Sequence, residues 1–181
     1  MVPFSSLLLP ILVSGVAVFI VSSIIHMMLP YHRSDMKALP QEDRVLEALR
    51  GLNIPPGDYG APHPGSMAGM RSPEFAEKVK RGPLVLINVA AGGSVGMGKQ
   101  LGLWFVYSLI VGLLCADLAH DALVPGSSVE EVCFFVGTAA FMGYGLALLQ
   151  FSIWYRRSWI TTFKSLFDSI IYAIVTGQVF G

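Results

Sequence analysis

The chain has 181 residues, of which 54% are hydrophobic and only 13% charged, and its formal net charge is zero. Water-soluble domains carry about a quarter charged residues, so the shortfall argues against a water-soluble domain, and the neutral balance removes any bulk electrostatic case for nucleic acid. Two cysteines, Cys115 and Cys133, form neither a disulfide framework nor a metal-type pair spacing.

The apolar residues gather in blocks of about 20, the length a helix needs to cross roughly 30 Å of hydrocarbon. The first block, residues 7–29, has no Lys or Arg before it and is too long for the core of a signal peptide, so it predicts a retained transmembrane helix. Pro10 sits near its first turn, where a missing N–H costs little. Residues 31–100 follow as the one sizeable polar segment. Within it, residues 40–51 read as a short amphipathic helix, with acids at the start, Arg50 at the end and Gly51 as the stop. Residues 57–65 are dense in Gly and Pro and read as loop. Ser72-Pro73-Glu74 opens a second short helix, with a capping serine and proline at its first position, and Gly82-Pro83 ends it. Residues 84–90 read as a strand or a surface apolar segment, and a strand there needs a partner.

The run from Gly93 to Gln100 has the glycine spacing and lysine of a phosphate-binding loop, but Gln100 replaces the hydroxyl residue and the next helix is a membrane span. A flexible entry to the second span, with Lys99 at the head groups, is the expected reading. That span covers residues 101–123 and the third covers 132–155. Pro125-Gly126 turns the chain between them, and Ser128 with Glu131 has capping-box spacing that starts the third helix near Val129. The fourth span covers residues 159–180 and carries Lys164 and Asp168. The expected fold is therefore an all-α, four-transmembrane-helix bundle: helix 1 in residues 1–30, a small, partly helical cytoplasmic segment in 31–100, and helices 2–4 in 101–181.

Charge sets the orientation. Arg33, Lys37, Arg44, Arg50, Arg71, Lys78, Lys80, Arg81 and Lys99 lie in residues 31–100, and Arg156, Arg157 and Lys164 lie at the third connection. With four spans, both segments fall on one side, which the positive-inside rule makes cytoplasmic, leaving both termini outside. Trp104, Trp154 and Trp159 are expected at the inner interface. Small residues at four-residue steps predict packing faces: Ser108, Gly112 and Ala116; Ala139, Gly143 and Ala147; and Ser165, Ser169, Ala173 and Gly177.

The runs YHRSDMKALPQEDRVLEALR, SPEFAEKVKRGP, MGKQLGLWFVYSL and WYRRSWITTFKSLFDSIIYAIVTG resemble a family of small, uncharacterised bacterial four-span membrane proteins with no assigned activity. The resemblance covers nearly the whole chain. It implies the inner (cytoplasmic) membrane of a bacterium and carries over no functional residue.

Two polar groups stand out. Asp117, His120 and Asp121 share one helical face near the outer end of span two, with Glu130 and Glu131 across the turn. They could hold a divalent cation or relay protons, but no ligand set is complete there. Asp168 lies about 13 Å inside Trp159, and an ionisable group at that depth points to function. Lys164, one turn earlier, is its expected partner, with His26, Tyr144 and Gln150 as cross-helix candidates; His32 and His63 read as loop residues. No catalytic set, cofactor box or complete metal site appears. A non-enzymatic accessory or scaffold protein acting through a membrane partner or as a homo-oligomer is the leading expectation. A small proton- or ion-coupled transporter or channel subunit is the second. A lipid-modifying enzyme using His26, Asp168 or the Arg156-Arg157 pair is the third.

Overall fold

The computed structural model describes residues 2–93 and 96–181. In chain order the elements are α1 (Phe4–Met28), a 3-10 turn (Pro30–Ser34), α2 (Glu42–Gly51), β1 (Gly57–Ala61), a 3-10 turn (Gly69–Arg71), α3 (Pro73–Arg81), β2 (Val85–Val89), α4 (Gly98–Ala122), α5 (Val129–Tyr144), a 3-10 turn (Leu146–Leu148), α6 (Leu149–Tyr155) and α7 (Trp159–Phe180). They form two units, Met1–Met36 with Gly96–Gly181, and Lys37–Val95. Residues 31–36 thus belong with the long helices and not with the polar segment, because Tyr31, His32 and Asp35 are tied to α7.

In the first unit α1 packs on α4 and α7, and α5 packs on α4 and α7. Among the described residues three stretches, Phe4–Met28, Gly98–Ala122 and Val129–Tyr155, are long and apolar enough to cross a membrane. The bundle is built with its large apolar residues outward. In α1, Leu9 is 69% exposed while Ser14 is 1% exposed. In α7 the outer face carries Ile160, Phe163, Phe167, Ile170 and Ile174, and the buried face carries Thr161, Thr162, Asp168, Ser169, Thr176 and Gly177. Small and hydroxyl-bearing residues inside, with bulky hydrocarbon outside, is the pattern of helices that meet in lipid.

The predicted stripes on α4 and α7 are largely buried: Ser108, Gly112 and Ala116 on one, and Ser169, Ala173 and Gly177 on the other. On α5 the buried residues are instead Val136, Ala140 and Tyr144, and Ala147 is exposed; of the predicted stripe Gly143 abuts α4, where an added Cβ would lie 3.2 Å from Val111 Cγ1. The face is set by Gly137, where an added Cβ would lie 3.4 Å from the Ala173 carbonyl oxygen, and the α-helix stops before Ala147. The expected single third helix is therefore interrupted. Leu148 N–H donates to the Gly145 oxygen at 2.9 Å, so the Tyr144 carbonyl loses its helical donor. Ser169 of α7 supplies a replacement: its hydroxyl lies 3.1 Å from that carbonyl and 2.7 Å from the Ser165 oxygen. Ser169→Ala should lower stability by about 1–3 kcal/mol through the orphaned carbonyl. Ser165→Ala, which removes only a bond to the Thr161 carbonyl of its own helix, should do less. Thermal unfolding in detergent compares the two.

The second unit holds both short helices, close to their predicted ends. Ser72 caps α3 by accepting from the Phe75 N–H at 3.2 Å. Residues 57–61, expected as loop, are instead the strand partner of β2: β1 and β2 pair antiparallel with Gly57 opposite Val89 and Ala61 opposite Val85. Only Tyr59 in β1 favours a strand by type. The pairing is completed by Asn88 Nδ2 donating to Asp58 Oδ1 at 2.7 Å, and Gly60 leaves room for Leu86, whose Cδ2 would lie 3.3 Å from a Cβ there.

Candidate functional site

The site forms where α1 ends. Leu29 turns extended, and Pro30, with its φ fixed and no N–H to place, opens a 3-10 turn. That turn folds Tyr31 and His32 back towards α7. His26, in the last turn of α1, stacks on His32 with ring centroids 4.5 Å apart and planes 19° apart. The His32 Nε2 atom lies 2.8 Å from Asp168 Oδ2, and its Nδ1 lies 2.6 Å from Asp35 Oδ2. Tyr31 donates its hydroxyl to Asp168 Oδ1. Lys164 Nζ donates to Asp35 Oδ1 at 2.7 Å, Ser34 Oγ at 2.9 Å and the Tyr31 carbonyl at 2.5 Å. Asp168 is 2% exposed.

These contacts correct the expected pairing. Lys164 does not serve Asp168; it reaches away from it to Asp35, and Asp168 is held by Tyr31 and His32. The reason is the returning turn, which places a carboxylate and a carbonyl at the end of the lysine side chain. His32, read as a loop residue, is central. Tyr31 and Asp35 were not singled out, although His32 and Asp35 stand three apart directly after Pro30, the spacing of one helical turn.

An ionised carboxylate only accepts hydrogen bonds, and a neutral imidazole donates only one. A chain of carboxylate, imidazole and carboxylate therefore needs one proton more than a neutral ring supplies, or a cation in its place. Two carboxylates face one ammonium, which leaves one formal negative charge to balance. Burial raises the Asp35 carboxyl, but the hydrogen bonds from Lys164 and His32 outweigh it, and the net shift is downward. The Tyr31 hydroxyl is pushed well above its ordinary range, first by burial and then by its bond to Asp168 and the nearby negative charges. It stays a donor to Asp168.

Asp168 and His26 also border a half-open cavity of about 590 Å³ on the bundle, walled by Trp104, Tyr107, Tyr144 and Tyr172. Trp104, expected at the lipid interface, is turned inward, and its indole N–H donates to Ser22 Oγ at 2.7 Å. Tyr172 is 3% exposed, and its hydroxyl has no hydrogen-bond partner among the described residues. A buried donor of this kind is costly unless something bonds it.

The other candidates do not converge. His120 Nδ1 meets the Val2 carbonyl at 2.5 Å and its Nε2 stays 4.0 Å from Asp121. Asp117 and Asp121 are exposed. Cys115 and Cys133 are both free thiols. In the glycine run before α4, Ser94 and Val95 lie outside the described residues. His63 accepts from the Gly65 N–H at 3.0 Å in its own loop, and Arg156 and Arg157 are exposed. No family model matches this sequence, and no curated protein or solved structure matches it either.

Proposed function

We propose that the chain is a four-span protein of a bacterial inner membrane that carries a cation, as an ion-coupled transporter or channel subunit. The buried Asp168 carries this reading: a carboxylate inside an apolar bundle, bonded to an imidazole and opening onto a cavity. Intramembrane acids are expensive and mark ion paths. The outward apolar face of α7 supports it as the fourth span, with Lys164 and Asp168 turned away from lipid. The basic residues of 31–100 and 156–164 favour a cytoplasmic position for the site, with both ends of the chain outside. The protein reconstituted in vesicles, with a potassium-diffusion potential as drive and an internal pH dye as readout, should admit protons. Asp168→Asn, which keeps the shape and removes the charge, should reduce that flux at least tenfold. An equal flux from the variant removes the reading.

A second reading, an accessory subunit acting through a partner protein, is supported by the apolar residues that the Lys37–Val95 unit leaves exposed, among them Leu52 at 68% and Met67 at 71%. It is favoured if a gentle detergent extract repeatedly returns one stoichiometric partner.

A further inference from the structure

We infer that His26, His32 and Asp168 form a binding site for a divalent transition-metal ion of the zinc type. The inference rests on the cation-carrying reading and names the cargo class of that site. One ligand atom from each of the three residues lies within 4.8 Å of the other two. A tetrahedral ion at about 2.0–2.2 Å from its ligands holds them roughly 3.3–3.5 Å apart. His32 Nε2 and Asp168 Oδ2, now 2.8 Å apart around a proton, open slightly to admit the ion, and the exposed His26 ring swings out of its stack on His32 to direct a nitrogen at the same centre.

The groups behind the ligands carry the argument furthest. Metal-bound histidines give their other nitrogen to a carboxylate, and metal-bound carboxylates are themselves hydrogen-bonded. Both features are already built. Asp35 takes the His32 Nδ1 at 2.6 Å and is itself held by Lys164 at 2.7 Å. This leaves Nε2 directed at the centre. Tyr31 bonds the Asp168 oxygen that does not face His32. His26 has neither ring nitrogen in a hydrogen bond among the described residues, so it is free to ligate. Two imidazoles and one carboxylate suit zinc, cobalt or nickel better than magnesium or calcium, which require oxygen. Three protein ligands leave a fourth position, and the cavity beside Asp168 can fill it with water or a small ligand. The ion takes the place of the proton between His32 and Asp168, so binding releases a proton to solvent.

The test is zinc titration of the detergent-solubilised full chain by calorimetry, in two buffers of different ionisation enthalpy, together with visible absorption on cobalt loading. One ion should bind per chain with release of a proton, and cobalt should give the intense bands of a four-coordinate site. His26→Ala and Asp168→Asn should each weaken binding at least 100-fold, and Asp35→Asn by 10–100-fold, the range for groups behind a ligand. His120→Ala should leave it unchanged. His26 is exposed, so His26→Ala should fold, and circular dichroism checks each variant. Zinc binding that survives both ligand substitutions, or wild-type protein that binds no zinc, overturns the inference. If zinc fails to bind but Asp168-dependent proton flux persists, the metal site falls and the transport reading stands. If zinc binds with the stated losses while no flux is measurable, the metal site stands and the transport reading falls.

Discussion

Lys164→Met is expected to destabilise the bundle by about 1–2 kcal/mol, since it strips a charged donor from a pair only partly screened from water. The Asp35 and Lys164 side chains are 16% and 20% exposed, so water makes good only part of the loss. Three acceptors lose a charged donor at once: Asp35 Oδ1, Ser34 Oγ and the Tyr31 carbonyl. The turn at Pro30–Ser34 should come away from α7, and Arg33 should become a fast site for limited trypsin digestion. Acid titration gives a second readout. The Asp35 carboxyl is held below its ordinary value of 3.8 in the folded chain. It therefore contributes stability that is present above 3.8 and lost as pH falls through the lower, folded value. The wild type should lose stability across that acid window, and Lys164→Met should show a flatter profile there. A wild-type unfolding temperature in the variant, with Arg33 still protected, would sink the assignment.

The second large effect lies at the other end of α7. A Cβ on Gly177 would stand 2.6 Å from the backbone oxygen of Cys133. A flexible side chain could yield at that distance, but a carbonyl inside α5 cannot, so the two helices must part. Gly177→Ala is expected to cost about 2–3 kcal/mol and Gly177→Val more, as overpacking of a close helix contact. Gly102 of α4 is the control, since nothing lies within 4 Å of a Cβ there. Gly102→Ala should be neutral or stabilising by about 0.5–1 kcal/mol, the helix preference for alanine. Unfolding of all three variants in detergent separates the close approach from glycine's general helix penalty.

What could be read from the chain, and what could not, divides along physical lines. Apolar block length is a property of the sequence itself, so the long helices were legible, α7 to its end residues. Capping is also local, and Ser72 and Ser128 both cap as their spacing implies. Small stripes on α4 and α7 were legible because closely packed helices meet where side chains are short. Asp168, Lys164 and His26 could be flagged one by one because charge inside an apolar run is conspicuous. Their partners could not be named. The Asp35–Lys164 and His32–Asp168 contacts join residues 129 and 136 positions apart, and no local pattern encodes which turn folds back on which helix. The same holds for β1, whose Gly-rich run has weak strand character and becomes a strand only because β2 lies beside it. The break after Tyr144 was hidden for the opposite reason: Gly145 looks like any small residue in a span, and the Ser169 hydroxyl that accommodates the break comes from another helix.

The Pro30–Ser34 turn is fastened to the bundle chiefly by Lys164 and Asp168 of α7. A ribosome delivers the two parts in order, early and late, and domains tend to settle as they emerge. Until α7 is made, Asp35 has no ammonium and His32 has no second carboxylate, so the turn cannot dock early. Closure of the cluster thus waits on residues 164–168, and a chain truncated before them should leave Tyr31, His32 and Asp35 without those partners.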